Sequence, residues 1–389
     1  MSDSKNIGSF RCNVLSIELE PTHYKTDLWN AAYASGMFDV FAIYTQAKNW
    51  SPDGGHNYLR FPKPIYDNLV LSGRGVTGML CSAFQVVKSI FARKPDVVLI
   101  CGYSHIPTMF AILASYFLRR PFMLFVDEFN IKPPSGRLSA FKLFVRESLR
   151  SFCFNYAIAV LVCGRRGIDS ALAAGCPQVK ISDFPYVVDV ERILTDIPEG
   201  IPPRCEADKA RGTRILFFSG RMIERKGLPS LLYALSIVKT DINWVLWIEG
   251  AGPELDEYIA LSQRYGLEDR CRFLGFCQYD LHSWLIRSAD IILVPSLEDN
   301  WGIVVDEGLQ LGKTVISSDA TGSGYDRITD KVNGYLFQAG DSASLASLLE
   351  CLIKDVNSSI EMEARFSPRN IRPEDNLRTL LNIFSNYRT

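Results

Sequence analysis

The sequence predicts an α/β protein of two domains, each a parallel sheet covered by helices on both faces. Three observations lead there. Short, wholly apolar runs alternate with helical patterns through both halves of the chain, and strands with no polar face belong in sheets buried on both sides. A segment rich in proline and charge, Pro185 to Gly212, separates the two series and reads as an interdomain linker. The 389 residues suffice for two domains, and a composition 47% hydrophobic and 22% charged supplies a core and excludes global disorder.

In the first series, Asn13–Leu19 reads as a strand, Thr26–Ser35 as a helix and Val40–Tyr44 as a strand. Val76–Phe91 (helix), Asp96–Cys101 (strand), Thr108–Leu118 (helix) and Phe122–Val126 (strand) follow. Leu138–Phe152 is helical, Ile158–Val162 a strand, and Ile168–Ala174 a helix stopped by Gly175. The second series opens with the strand Ile215–Phe218 and the helix Gly227–Lys239, which has Pro229 near its start. Trp244–Ile248 (strand), Glu254–Tyr265 (helix), Arg272–Leu274 (strand), Leu281–Ser288 (helix) and Ile291–Val294 (strand) come next, then the helix Ile303–Leu311 and the strand Thr314–Ser317. Ligands of open α/β sheets sit beyond the carboxyl ends of the strands, so the expectation is an interdomain cleft between two such sheets.

Composition narrows the function classes. The formal net charge is −1, from 42 Lys+Arg and 43 Asp+Glu, which argues against a nucleic-acid partner. The total conceals a split: residues 1–190 hold 20 cations and 14 anions, and residues 191–389 hold 22 and 29. The ten cysteines include no Cys-x-x-Cys and mostly sit in apolar runs, the pattern of buried reduced thiols in a cytoplasmic protein. The four histidines, His23, His56, His105 and His282, are not at ligand spacing from a cysteine pair, so no metal site is expected. Met1–Phe10 lacks the apolar core of a signal peptide. The longest apolar stretch, Val97–Leu118, is interrupted by Gly102, Ser104, His105 and Pro107, and reads as strand, loop and helix rather than as a membrane span.

Two loops carry chemistry. Ser219–Gly227 follows a strand and opens a helix; Gly220 allows a tight turn, and Arg221 and Lys226 project cations beside the helix N-terminus. Backbone N–H groups and fixed cations together suit a diphosphate, with a solvated basic turn as the alternative. Pro295–Gly302 runs from a strand into Ile303–Leu311. Its Gly302 sits where amides can face a phosphate. Asp299 and Glu307 are spaced to grip two ends of a polyhydroxylated ligand, or else are surface carboxylates.

These residues resemble the large family of retaining, nucleotide-sugar-dependent glycosyltransferases that includes sucrose and glycogen synthases, glycosyltransferase family 4 or glycosyl transferases group 1. The family's Gly-Arg-x-x-x-x-Lys-Gly pattern is matched by Gly220, Arg221, Lys226 and Gly227, and its Glu-x7-Glu pattern by Asp299 and Glu307, with Gly302 and Gly312 keeping the spacing. A Gly-x-Gly-Pro turn stands at Gly250–Pro253 and an Asn-Gly-x-x-Phe turn at Asn333–Phe337. The first carboxylate is Asp299 where the family has Glu, and a second register would pair Glu298 with Asp306. The likeness reaches the first half more weakly, through Phe184–Asp189.

The resemblance implies the GT-B fold, two Rossmann-like domains facing across a cleft: residues 1–190 for the acceptor, 205–365 for the nucleotide-sugar, and a C-terminal helix near 370–389 packing back on the first. It implies transfer of a sugar from a nucleotide-diphosphate-sugar to a hydroxyl of a glycan or polyprenyl-linked acceptor, with retention, in bacterial surface polysaccharide synthesis. Arg221 and Lys226 would neutralise the diphosphate, Asp299 would meet the transferred sugar and Glu307 the ribose. Gly220, Gly302, Ile303, Val304, Phe276 and Cys277 would complete the donor site. No metal or other cofactor is expected, since the basic pair replaces it. In the first domain His23, Lys25, His105 and Asp127 are candidates for acceptor or cleft contact, while His56 and His282 read as structural. The helical stripe Leu138, Phe141, Val145, Leu149 and Phe152 reads as packing on the sheet, and the flanking Arg137, Lys142, Arg146 and Arg150, solvated charges in the alternative, add an anionic membrane surface as a further partner. The alternatives are a nucleotide-sugar epimerase of the same fold and a non-catalytic nucleotide-sugar-binding protein.

Overall fold

The computed structural model describes residues 11–46, 63–71, 75–129, 139–355 and 372–388. They form two compact units, one from residues 11–187 with 372–388, the other from 188–355. His56, Leu138 and Arg137 lie outside the described residues.

The first unit is a seven-stranded sheet: β1 (Cys12–Glu18), β2 (Phe38–Tyr44), β3 (Asp67–Val70), β4 (Val97–Cys101), β5 (Phe122–Phe125), β6 (Ala159–Val162) and β7 (Ile181–Asp183). Every pair is parallel and the order is β3-β2-β1-β4-β5-β6-β7. Its helices are α1 (His23–Ala34), α2 (Gly75–Arg93), α3 (Ile106–Phe117), α4 (Ser139–Tyr156), α5 (Gly164–Ala173) and, from the far end of the sequence, α14 (Pro373–Arg388). The inner strands are buried on both faces, as their apolar runs require. α5 begins at Gly164, four residues before the periodic pattern, because the Asp183 carboxylate accepts from the Gly164 N–H at 2.8 Å. α14 packs on α1, buries Leu377, Leu380 and Phe384, and donates from Asn376 to the Pro185 carbonyl at 2.7 Å.

One face of this unit is unusual. α2, α3 and α4 lie side by side on a shared core that includes Val86, Ile90, Ile112 and Cys153. Their outward sides carry Val76, Leu80, Phe84 and Phe91 on α2, Phe110, Leu113 and Phe117 on α3, and Phe141 and Phe144 on α4, all exposed. Leu149 of α4 is buried as the stripe reading expects, whereas Phe141 turns outward. α2, rather than the stretch around α3, is long and apolar enough to cross a membrane, yet Ser82, Ala83, Val86 and Ile90 seat it on the sheet.

The second unit is a six-stranded parallel sheet of order β10-β9-β8-β11-β12-β13. Its strands are β8 (Arg214–Ser219), β9 (Trp244–Glu249), β10 (Cys271–Gly275), β11 (Ile291–Val294), β12 (Thr314–Ser318) and β13 (Tyr335–Phe337). Its helices are α6 (Val190–Thr195), α7 (Pro203–Ala210), α8 (Leu228–Ile237), α9 (Leu255–Arg264), α10 (Tyr279–Ser288), α11 (Ile303–Gln310), α12 (Gly322–Arg327) and α13 (Ser342–Lys354). The stretch expected to be a linker therefore holds two helices and belongs largely to this unit. Asp189 caps α6, Pro202 and Pro203 start α7, and Arg287 of α10 ties down the turn after α6 through the Leu194 and Asp196 carbonyls.

Candidate functional site

In each sheet the strand order reverses at one place, between β1 and β4 and between β8 and β11. Loops leaving the carboxyl ends of two such strands diverge and leave a crevice, where open α/β sheets take their ligands. The candidate residues of each unit gather there.

In the second unit the loops after β8 and β11 are stitched together by backbone. Leu297 N–H and Glu298 N–H donate to the Arg225 carbonyl at 2.8 and 3.3 Å. Gly227 has φ +71°, and a Cβ there would stand 1.9 Å from the Pro295 carbonyl oxygen. The Gly-x-Gly-Pro turn performs the same service on the other side. A Cβ on Gly250 would lie 1.8 Å from the Gly220 oxygen, and Gly252 faces the Met222 backbone at 2.5 Å. Only glycine lets these chain segments approach so closely.

The stitching sets the charges. Lys226 Nζ lies 2.5 Å from Asp299 Oδ2, and Arg225 stands 3.8 Å from the other oxygen. Asp299 is buried while Lys226 is partly exposed, so the pair presents its ammonium outward. Arg221 is exposed on the same loop. Gly302, with φ +83°, caps α11, so the N–H groups of Ile303 and Val304 belong to the first turn that no intrahelical carbonyl satisfies. The Ser323 hydroxyl holds this corner, donating to the carbonyls of Trp301 and Gly302.

Glu307 and Asp306 separate cleanly. Asp306 accepts from the Trp301 indole at 2.6 Å and pairs with Arg327 at 3.4 Å; burial pushes its carboxyl up to about 6, with Arg327 opposing. Glu307 lies on the other side of α11 and is 1% exposed. Tyr279 donates to its Oε1 at 3.0 Å, and His282 Nε2 faces Oε2 at 3.1 Å. The other ring nitrogen of His282 faces Glu249 Oε2 at 2.6 Å. Burial disfavours the imidazolium, but the two carboxylates outweigh it and hold the pKa well above 6.5. Phe276 and Cys277 lie on the loop from β10 to α10 that leads into this cluster, Cys277 buried and Phe276 partly exposed.

In the first unit a pocket opens at the β1/β4 reversal, walled by Tyr24, Trp29, Phe125, Phe184 and Tyr186. Glu18, ending β1, is fully buried there and accepts from Ser16 and the Trp29 indole, each at 2.7 Å. Lys25 reaches its other oxygen at 3.9 Å. Burial works against the Lys25 charge, but Cys101, Glu18, Tyr24 and Asp127 prevail and raise its pKa. Tyr186 donates to Asp127 at 2.6 Å and stacks on Tyr24 at 4.0 Å. Lys25 thus lines the pocket, whereas Asp127 reaches it only through the Tyr186 hydroxyl. His23 is edge-on to Tyr24 at its rim. His105 caps α3 instead, its Nδ1 3.4 Å from the Gln46 amide, with burial lowering its pKa.

Glu18, Glu249, Tyr279 and the second role of His282 escaped the sequence reading. The available signal was a carboxylate at the carboxyl end of a buried strand: Glu249 ends the otherwise apolar β9, and Glu18 ends β1, whose other polar residues are Asn13 and Ser16.

Comparison with known proteins agrees with this geometry. Residues 204–371 match the family described as Glycosyl transferases group 1. The lipopolysaccharide core biosynthesis glycosyltransferase LpsD of Rhizobium meliloti is 32% identical over 136 residues, 35% of this chain and 38% of that protein. The phosphatidyl-myo-inositol mannosyltransferase of Mycobacterium leprae is 31% identical over 191 residues, 46% of this chain and 50% of that protein. The chain therefore spans half or less of the length of these curated relatives. Among solved structures, Anabaena HepE in complex with UDP and glucose superposes with a TM-score of 0.74 at 18% identity, covering 97% of this chain and 100% of the other. The match to Glycosyl transferases group 1 thus lies in the second unit of a two-unit parallel-sheet fold of the GT-B kind.

Proposed function

We propose that the protein is a retaining glycosyltransferase that moves a sugar from a nucleotide-diphosphate-sugar to a hydroxyl of a glycan or lipid-linked acceptor. The observation that carries this reading is the cluster at the β8/β11 reversal: Arg221, the Lys226–Asp299 pair, the amides opening α11 and the buried Glu307. As the glycosidic bond breaks, negative charge grows on the leaving diphosphate. Arg221 and Lys226, held beside a helix N-terminus, stabilise that charge without a metal ion. A substrate diphosphate would compete with Asp299 for the Lys226 ammonium, releasing the carboxylate toward the transferred sugar. Glu307 takes the ribose hydroxyls. The relatives in lipopolysaccharide core and phosphatidylinositol glycosylation, by name, support a surface-glycan acceptor, and the pocket lined by Lys25 is its proposed binding site.

A lipid-linked acceptor would put the enzyme on the inner face of the plasma membrane. The exposed phenylalanines of α2, α3 and α4 support this, since an apolar area so extensive marks an interaction surface. These three helices carry five cations, Lys88, Arg93, Lys142, Arg146 and Arg150, against the single acid Glu147. A second copy on this face would set like charges together, whereas an anionic bilayer complements them.

Arg221→Ala and Lys226→Ala are each expected to lower transfer about 10²–10³-fold, measured with the sugar nucleotide that gives the largest thermal shift among UDP-, GDP- and ADP-sugars. Unchanged transfer rates in both variants would refute the assignment. Product formed without any acceptor would turn the reading to an epimerase.

A further inference from the structure

We infer that His282, bridging Glu249 to Glu307, is a positioning residue that aims the Glu307 carboxylate at the hydroxyls of the donor's ribose. The inference rests on the reading of Glu307 given above and adds two residues to it. His282 sits on α10 with both ring nitrogens against carboxylate oxygens, 2.6 Å to Glu249 and 3.1 Å to Glu307, and is 7% exposed. A carboxylate only accepts, so both nitrogens must donate, which makes the ring a cation between two anions.

Such a triad is a poor device for stability. Taking three charges out of water costs about as much as their attraction returns, and well-packed apolar side chains serve as well or better. Its geometry suits orientation instead. Glu249 closes β9, and its carbonyl accepts the Gly220 N–H at 3.1 Å. The same residue therefore holds the loop bearing Arg221 by its backbone and the Glu307 carboxylate, through His282, by its side chain. Tyr279 fixes the other Glu307 oxygen, and Arg192 lies over the Tyr279 ring at 3.9 Å.

The test compares UDP with 2′,3′-dideoxy-UDP by calorimetry. The unaltered protein is expected to prefer UDP by about 10- to 100-fold, the effect of hydrogen bonds to a charged group. The Glu249→Leu/His282→Leu double variant should lose that preference and keep its affinity for dideoxy-UDP, while the buried Glu307 carboxylate, deprived of its imidazolium partner, lowers the unfolding temperature. His282→Gln, which retains an N–H donor toward Glu307, should restore most of the preference. A double variant that discriminates like the unaltered protein overturns the positioning role and leaves the ribose reading intact. An unaltered protein without preference overturns both. Should the double variant fail to fold, ¹⁵N-histidine spectra of the intact protein decide: the His282 Nε2 resonance is expected to move with UDP and not with dideoxy-UDP, and equal movement overturns the inference.

Discussion

At residue scale the second unit depends on places where a side chain cannot go. Gly227 combines a left-handed backbone with a carbonyl oxygen where its Cβ would be. Gly227→Ala is therefore expected to cost more than the ~1–2 kcal/mol of left-handed strain alone, and the Lys226–Asp299 pair next to it should loosen. Urea unfolding and diphosphate binding measure the two effects. His282 gives a second prediction, in pH. Its folded pKa is raised above the ordinary 6.5 by Glu249 and Glu307, so the native state binds its proton more tightly than the unfolded chain does. That contribution is complete below 6.5 and is lost as pH rises through the folded value. Tyr279 and Cys277, the other titratable groups beside the triad, have neutral protonated forms; burial raises the Cys277 thiol. Urea midpoints should fall more steeply above 6.5 in the unaltered protein than in the Glu249→Leu/His282→Leu variant, and parallel curves would contradict the prediction.

At the scale of elements, α14 shows how one helix can hold a unit. It buries Leu377, Leu380 and Phe384, and Arg388 pairs with Asp96 at 3.0 Å. Phe384→Ala should cost about 3–5 kcal/mol, as buried aromatic truncations do, readable as a lowered unfolding temperature. The central strands and their helices were legible in the sequence because burial on both faces leaves wholly apolar runs. The edge strands of the first sheet were not, although the edge strand β10 of the second was. β3 is Asp-Asn-Leu-Val and β7 Ile-Ser-Asp, short and half solvated, so neither pattern nor length marks them. α6 and α7 were hidden because prolines that start helices look like prolines that break them. The cluster after β8 and β11 was legible because phosphate chemistry needs glycines and cations at fixed spacing. His282 was not, since its partners lie 33 and 25 residues away and no local pattern joins them.

At the scale of the molecule, the charge split acquires an address. The surplus cations of residues 1–190 include those on α2 and α4, beside a face of exposed phenylalanines. The chain should float with vesicles containing anionic lipid and less with neutral ones. Raising salt should weaken the electrostatic part and leave the apolar part. Replacing Phe84, Phe91 and Phe117 with serine should abolish flotation without lowering the unfolding temperature, since all three are exposed. Unaltered flotation in that variant would move the contact elsewhere.

The return of α14 to the first unit also governs the order in which the protein is made. The first sheet is complete once β7 leaves the ribosome, but the flank of α1 that receives α14 stays uncovered until residues 372–388 emerge. The intervening stretch contains residues 188–355, the described part of the other unit. At ~5–20 residues per second that wait lasts on the order of ten to forty seconds. During it the second unit can mature while the flank of α1 that receives α14 stays uncovered.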